Sequence, residues 1–207
     1  GAPALYATLA NRKFFERDEL WSYRRLGAML QGYPQALRIP GVDAPGGGSF
    51  GMGLGIANGL AIALRRGRSP CRVFCLAGEE ELQEGAFWEA VIAASRFCLD
   101  SICLVIDRYR TKEEAGIPSA SDEAFCEKIR SFGWTAEACD GHDFSSLGGA
   151  LRLLGQGAGR PKCLLARTRL GKGVSFLEGD SSGESEVLDR ERVDKALREL
   201  EKEEDPL

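Results

Sequence analysis

The spacing of apolar positions changes several times along the chain. Leu20, Tyr23, Leu26 and Leu30 recur every three or four residues, so 16–30 reads as a helix, with a shorter one before it at 1–10. The stretch PGVDAPGGGSFGMG (40–53) is too rich in Gly and Pro for either period and forms a loop. It leads into a small-residue apolar helix, LGIANGLAIALRR (54–66). CRVFCLAG (71–78) is continuously apolar, as a strand buried on both faces is. The same reading gives a helix at 85–98, a strand at 101–108, and a polar loop over 109–121. SDEAFCEKIRSFG (121–133) opens on a capping serine and closes on glycine, as helices do. TAEACDG is then a strand, DFSSLGGALRLLGQG a helix and PKCLLARTR (161–169) a strand. Strands alternating with helices predict an α/β fold, three layers αβα, with right-handed crossovers and a mostly parallel sheet. In such sheets ligands lie at the carboxyl ends of strands, here near 78–80 and 108–110.

From about residue 179 the pattern is lost. A Ser/Gly-rich loop and a charged, solvated helix (186–204) are expected, so the chain divides into a folded region, 1–180, and a tail, 181–207. A length of 207 residues suits one such domain. The net charge of −4 gives no electrostatic reason to expect nucleic acid, and no apolar run is long enough to span a membrane. Seven cysteines without a CxxC pair read as reduced thiols in a cytoplasmic protein, with Cys75, Cys103 and Cys163 as small core residues. A single histidine makes His/Cys zinc sites improbable.

Several segments in collinear order carry more information: GAPALYATLA, RRLGAMLQGYP, GSFGMGLGIANGLA, GEEELQEGAFWEA, DGHD and LGKGVSFLEG. Together, over about residues 1–180, they resemble the pyrophosphate-binding region of transketolases. The match is closest to the short form, in which this half is a separate polypeptide. The resemblance implies thiamine diphosphate, bound between this domain and the pyrimidine-binding domain of a C-terminal-type partner subunit in a heterodimer or heterotetramer. The cofactor's ylid attacks a ketose, and a two-carbon unit passes to an aldose or sugar phosphate. A Mg²⁺ or Ca²⁺ ion links the diphosphate to the protein through oxygen ligands. Gly48 and Phe50 correspond to the loop that touches the aminopyrimidine ring. Glu81, Gln83 and Glu84 belong to a family feature, ELQEG, at the start of a helix, where acids also complement the dipole. An oligomer is expected, with the helices at 54–66 and 85–98 as contact surfaces.

The cofactor corner departs from the family's pattern. Gly78 keeps the first glycine of Gly-Asp-Gly, but Glu79 stands for the metal-binding Asp and Glu80 for the second glycine. The Asn position holds Tyr109, and the carbonyl ligand would come from Thr111. Tyr109 is a poor metal ligand, its phenol being un-ionised at neutral pH. Arg108 and Arg110 read either as a bidentate grip on phosphate in place of the lost cation or as a surface pair. The histidines that position sugar and move protons in the family are also changed. Gly-His-Pro reads Gly32–Tyr33–Pro34, and DSSGES stands in a His-Gly-Lys context. His142 reads as a catalytic remnant or as a structural histidine at a strand end. Lys172 reads as a group at the active-site mouth or as a solvated turn residue. Two functions follow from the resemblance: a pyrophosphate-binding subunit of a two-component, thiamine diphosphate-dependent carboligase, or a non-catalytic subunit that stabilises or regulates a partner. A phosphometabolite-binding module using Arg108 and Arg110 is a third, weaker reading.

Overall fold

The apolar run at 71–78 forms the strand Val73–Gly78 (β1), which starts a four-stranded sheet in which every pairing is parallel. The computed structural model describes residues 1–42, 44, 50–109, 121–154, 159–179 and 187–203. The remaining strands are Ile102–Tyr109 (β2), Thr135–Asp140 (β3) and Lys162–Thr168 (β4), in the spatial order β1-β2-β4-β3. Helices α1 (Ala2–Asn11) and α2 (Gly53–Arg66) precede β1. Between the strands lie α3 (Gly85–Arg96), α4 (Asp122–Ser131) and α5 (Phe144–Leu154), and α6 (Arg190–Glu203) follows the last strand.

The connections β1-α3-β2 and β2-α4-β3 run one way across the sheet, and β3-α5-β4 runs back. A reversal made with the same hand places its helix on the opposite face. Accordingly α2, α3 and α4 cover Cys75, Ile102, Leu104, Ile106 and Leu165, while α5 covers Cys103, Leu164 and Ala166. The expected α/β sandwich of helices about a parallel sheet is therefore the observed architecture. On β1 the alternation leaves Phe74 and Leu76 on the α5 side but beyond its reach, and they are 61% and 73% exposed. The helices at 54–66 and 85–98, expected as subunit contacts, turn one face each into this core through Leu54, Ala57, Ala61, Phe87, Val91 and Ala94.

The expected helix over 16–30 is not formed. A short 3₁₀ turn covers Arg17–Ser22, after which Arg24 and Gly27 take positive φ, 61° and 78°, which no α-helix tolerates. Leu20, Tyr23 and Leu30 still pack with Tyr6 and Leu9, so the spacing that suggested a helix is met by a folded loop. Leu26, which the helical period points inward, is fully exposed. At α4 the sequence signals hold: the Ser121 hydroxyl accepts from the Ala124 N–H at 3.1 Å, and Gly133 beyond the helix has φ 89°. The terminal helix also differs from a purely solvated one. Glu199 accepts from the backbone N–H and hydroxyl of Ser175 at 2.7 and 2.9 Å, and Arg192 and Lys195 lie over the Phe176 ring.

Cys75, Cys103 and Cys163 are buried as expected, and so are Cys126 and Cys139; Cys71 and Cys98 are exposed. Burial, with the Glu81 charge adding to it, pushes the Cys75 thiol up to about 11. Burial likewise raises Cys163 well above the ordinary thiol range. Since the thiolate is the reactive form, Cys71 and Cys98 should react promptly with Ellman's reagent at neutral pH. The other five should react only in denaturant, which a thiol count before and after adding urea will check. Among the described residues, no helix is long and apolar enough to cross a membrane.

Candidate functional site

The carboxyl ends of β1 and β2 meet side by side. The register sets Gly78 beside Asp107, so the residues that follow, Glu79 and Arg108, are neighbours, as are Glu80 and Tyr109. A second 3₁₀ turn, Glu79–Gln83, carries the three glutamates before α3 begins at Gly85. Of the ELQEG acids expected at the start of the helix, Glu81 lies in this preceding turn and Glu84 stands at the N-terminal boundary of α3.

Each glutamate has a different task. Glu81 bridges two backbone segments: Oε1 accepts from the Gly78 N–H at 3.2 Å and Oε2 from the Gly51 N–H at 3.0 Å. One carboxylate thus fixes the exit of β1 to the glycine loop that leads into α2. Glu84 packs against that loop. Gly51 has φ 76°, and a Cβ built on it would lie 2.6 Å from the Glu84 Cβ. A side chain at Gly51 is excluded both by conformation and by space. Glu80 accepts a hydrogen bond from the Tyr109 hydroxyl. Glu79, half-buried, has Oε1 3.4 Å from the Arg108 Nε.

Arg108 is only 5% exposed. Its Nη1 lies 3.1 Å from Asp122 Oδ1 at the start of α4, and Asp122 Oδ2 is 3.5 Å from Arg167 Nη1 on β4. Beside it, Thr168 donates to Asp107. Of the two readings of Arg108, the surface pair does not describe this buried position between two acids. Arg110, Thr111 and Gly48 lie outside the described residues. Phe50 is 65% exposed beside the glycine loop.

The remaining candidates stand elsewhere. At the end of β3, the Nε2 of His142 accepts from the Arg169 backbone N–H at 2.7 Å, and the His142 backbone N–H donates to Asp140. The imidazole lone pair thus ties the exits of β3 and β4 together. Lys172 sits in a turn between two positive-φ glycines, Gly171 and Gly173. A Cβ on Gly171 would lie 2.5 Å from the Leu177 carbonyl oxygen, so the turn is built for glycine. Arg169, by its hydrogen bond, holds the Glu178 carboxyl below its usual range, with Lys172 helping.

The described residues of this corner do not offer a divalent ion a ready ligand set. Of the ligands that the resemblance implies, Glu79 is ion-paired with Arg108, Tyr109 donates to Glu80, and Thr111 lies outside the described residues. A divalent ion on Glu79 would lie about 5 Å from the Arg108 guanidinium, where at an effective dielectric of about 20 the two repel by on the order of 6 kcal/mol. Gly51 and Gly78, by contrast, are held together through the Glu81 carboxylate.

A family profile described as "Transketolase, thiamine diphosphate binding domain" matches residues 5–205. The chain belongs to this family. Among its transketolase relatives, a subunit of the apulose-4-phosphate transketolase of Actinobacillus succinogenes is 32% identical over 205 residues, spanning 97% of this chain and 72% of that protein. The 6-deoxy-6-sulfo-D-fructose transketolase subunit SqwG of a Clostridium species is 32% identical over 204 residues, with 98% and 74% covered. In three dimensions the chain superimposes on the transketolase of Campylobacter jejuni with a TM-score of 0.79 at 25% identity. That alignment takes in 89% of this chain and 30% of the larger enzyme, so this chain spans under a third of a full-length transketolase.

Three residues of this transketolase corner carry more than the sequence alone disclosed. Glu81 was legible as part of ELQEG but not as a clamp, because its second partner is 30 residues away. Asp122 was legible only as the residue after a capping serine, and only the fold brings it to Arg108. Asp107 was hidden inside an apolar strand.

Proposed function

We propose that the chain is the thiamine diphosphate-binding subunit of a two-chain, transketolase-like enzyme, completed by a partner subunit that carries the pyrimidine-binding domain. The observation that supports this most is the Glu81 clamp: the family's glycine loop and strand exit are held together although the residues around them have changed. Both relatives are named as single subunits of a transketolase, which supports the division into two chains. When bound, thiamine diphosphate supplies the carbanion chemistry of the reaction. The chain's own contribution is to hold the glycine loop and the end of β1 in one fixed arrangement, which is preorganisation of a binding site. The substrate class is a ketose donor with an aldose or sugar phosphate acceptor.

A second reading is favoured by one specific observation. Glu79 and Glu80 are engaged by Arg108 and Tyr109, which suits a chain that keeps the fold to stabilise or regulate its partner. Calorimetry with thiamine diphosphate on the chain, on the partner and on their mixture separates the two. Cofactor-dependent heat that appears in the mixture supports the enzyme. A stable complex that gives none rules out the enzyme and leaves the regulatory role.

A further inference from the structure

The cation position of this corner is the feature that the family resemblance leaves open. β2 alternates, so Arg108 points to the same side as Leu104 and Ile106, toward α4. There it meets Asp122, the first residue of that helix, while Glu79 reaches it from the end of the neighbouring strand. An exposed arginine samples many positions, but one that is 5% exposed and bracketed by two carboxylates on different elements has one. Glu79 and Asp122, the two carboxylates that flank Arg108, are already balanced by the Arg108 and Arg167 guanidiniums. Glu80 is engaged by a neutral phenol, which offers a hard ion no anionic oxygen.

We infer that the guanidinium of Arg108 occupies the cation position of this corner, and that the chain takes up neither Mg²⁺ nor Ca²⁺ there. The inference rests on the proposed assignment of this corner to the cofactor's diphosphate, not on catalysis. Any thiamine diphosphate held by the chain is then held without a divalent ion. Binding is indifferent to chelators, unlike a site in which the metal couples protein to phosphate.

The experiment uses the full chain co-purified with its partner. The complex is incubated with thiamine diphosphate and Mn²⁺, an oxygen-liganded ion visible by electron paramagnetic resonance, and then desalted. Retained cofactor is read by thiochrome fluorescence and retained manganese by resonance. Cofactor retained without manganese is the expected result. Stoichiometric manganese in the unaltered protein overturns the inference and leaves cofactor binding in place. Loss of both removes the function proposed above while metal exclusion stands. Arg108→Gln, which releases Glu79 and Asp122 from the guanidinium, should raise manganese affinity at least about tenfold. If that variant folds and still binds no manganese, Arg108 is not what keeps the ion out. If it does not fold, the measurement on the unaltered protein still decides.

Discussion

Replacing Glu81 with alanine is expected to destabilise the chain by about 2–4 kcal/mol, because two backbone donors lose a charged acceptor at one stroke. The same change should cut thiamine diphosphate retention at least about tenfold, since the glycine loop is no longer fixed to the end of β1. Urea unfolding measures the first effect and thiochrome fluorescence the second. Glu81→Gln keeps an oxygen for one of the two N–H groups and should fall between alanine and the native residue in both. If the alanine variant binds cofactor normally, the clamp serves only the fold, and the observation that best supports the proposed function is lost.

The second large effect lies in the core. Trp134 is 1% exposed, and its indole N–H donates to the Val91 carbonyl at 2.9 Å, joining the start of β3 to α3. Trp134→Ala removes the largest fully buried side chain of the described residues and is expected to cost about 3–5 kcal/mol. Trp134→Phe keeps most of the ring volume and should cost about 1–2 kcal/mol, mainly through the lost hydrogen bond. Both are read from the midpoint of urea unfolding. Equal losses in the two variants would show that the hydrogen bond, rather than the packed ring, holds β3 to α3.

Much of this was legible from residue order. Apolar runs identified β1, β2 and β4, TAEACDG read as a strand between two helices, and Ser121 and Gly133 marked α4, because these signals act within a few residues. The failure at 16–30 has the same origin seen from the other side. Periodicity reports which residues seek the interior, not which backbone takes them there, and Arg24 and Gly27 bend the chain differently. The site was legible in part. Motif order pointed to the corner where β1 and β2 end, and Glu79, Glu80 and Tyr109 marked it as departing from the family's pattern. What the change consists of depends on the β1/β2 register and on where α4 begins. No spacing within 78–84 or 107–110 contains the Arg108–Asp122 contact.

The bare outer side of β1 sets how this protein must be handled. Among the described residues β1 borders the sheet and shows Phe74 and Leu76 to solvent, so self-association of the isolated chain at rising concentration is the expected consequence. Co-expression or a charged residue at position 76 is therefore the route to crystals.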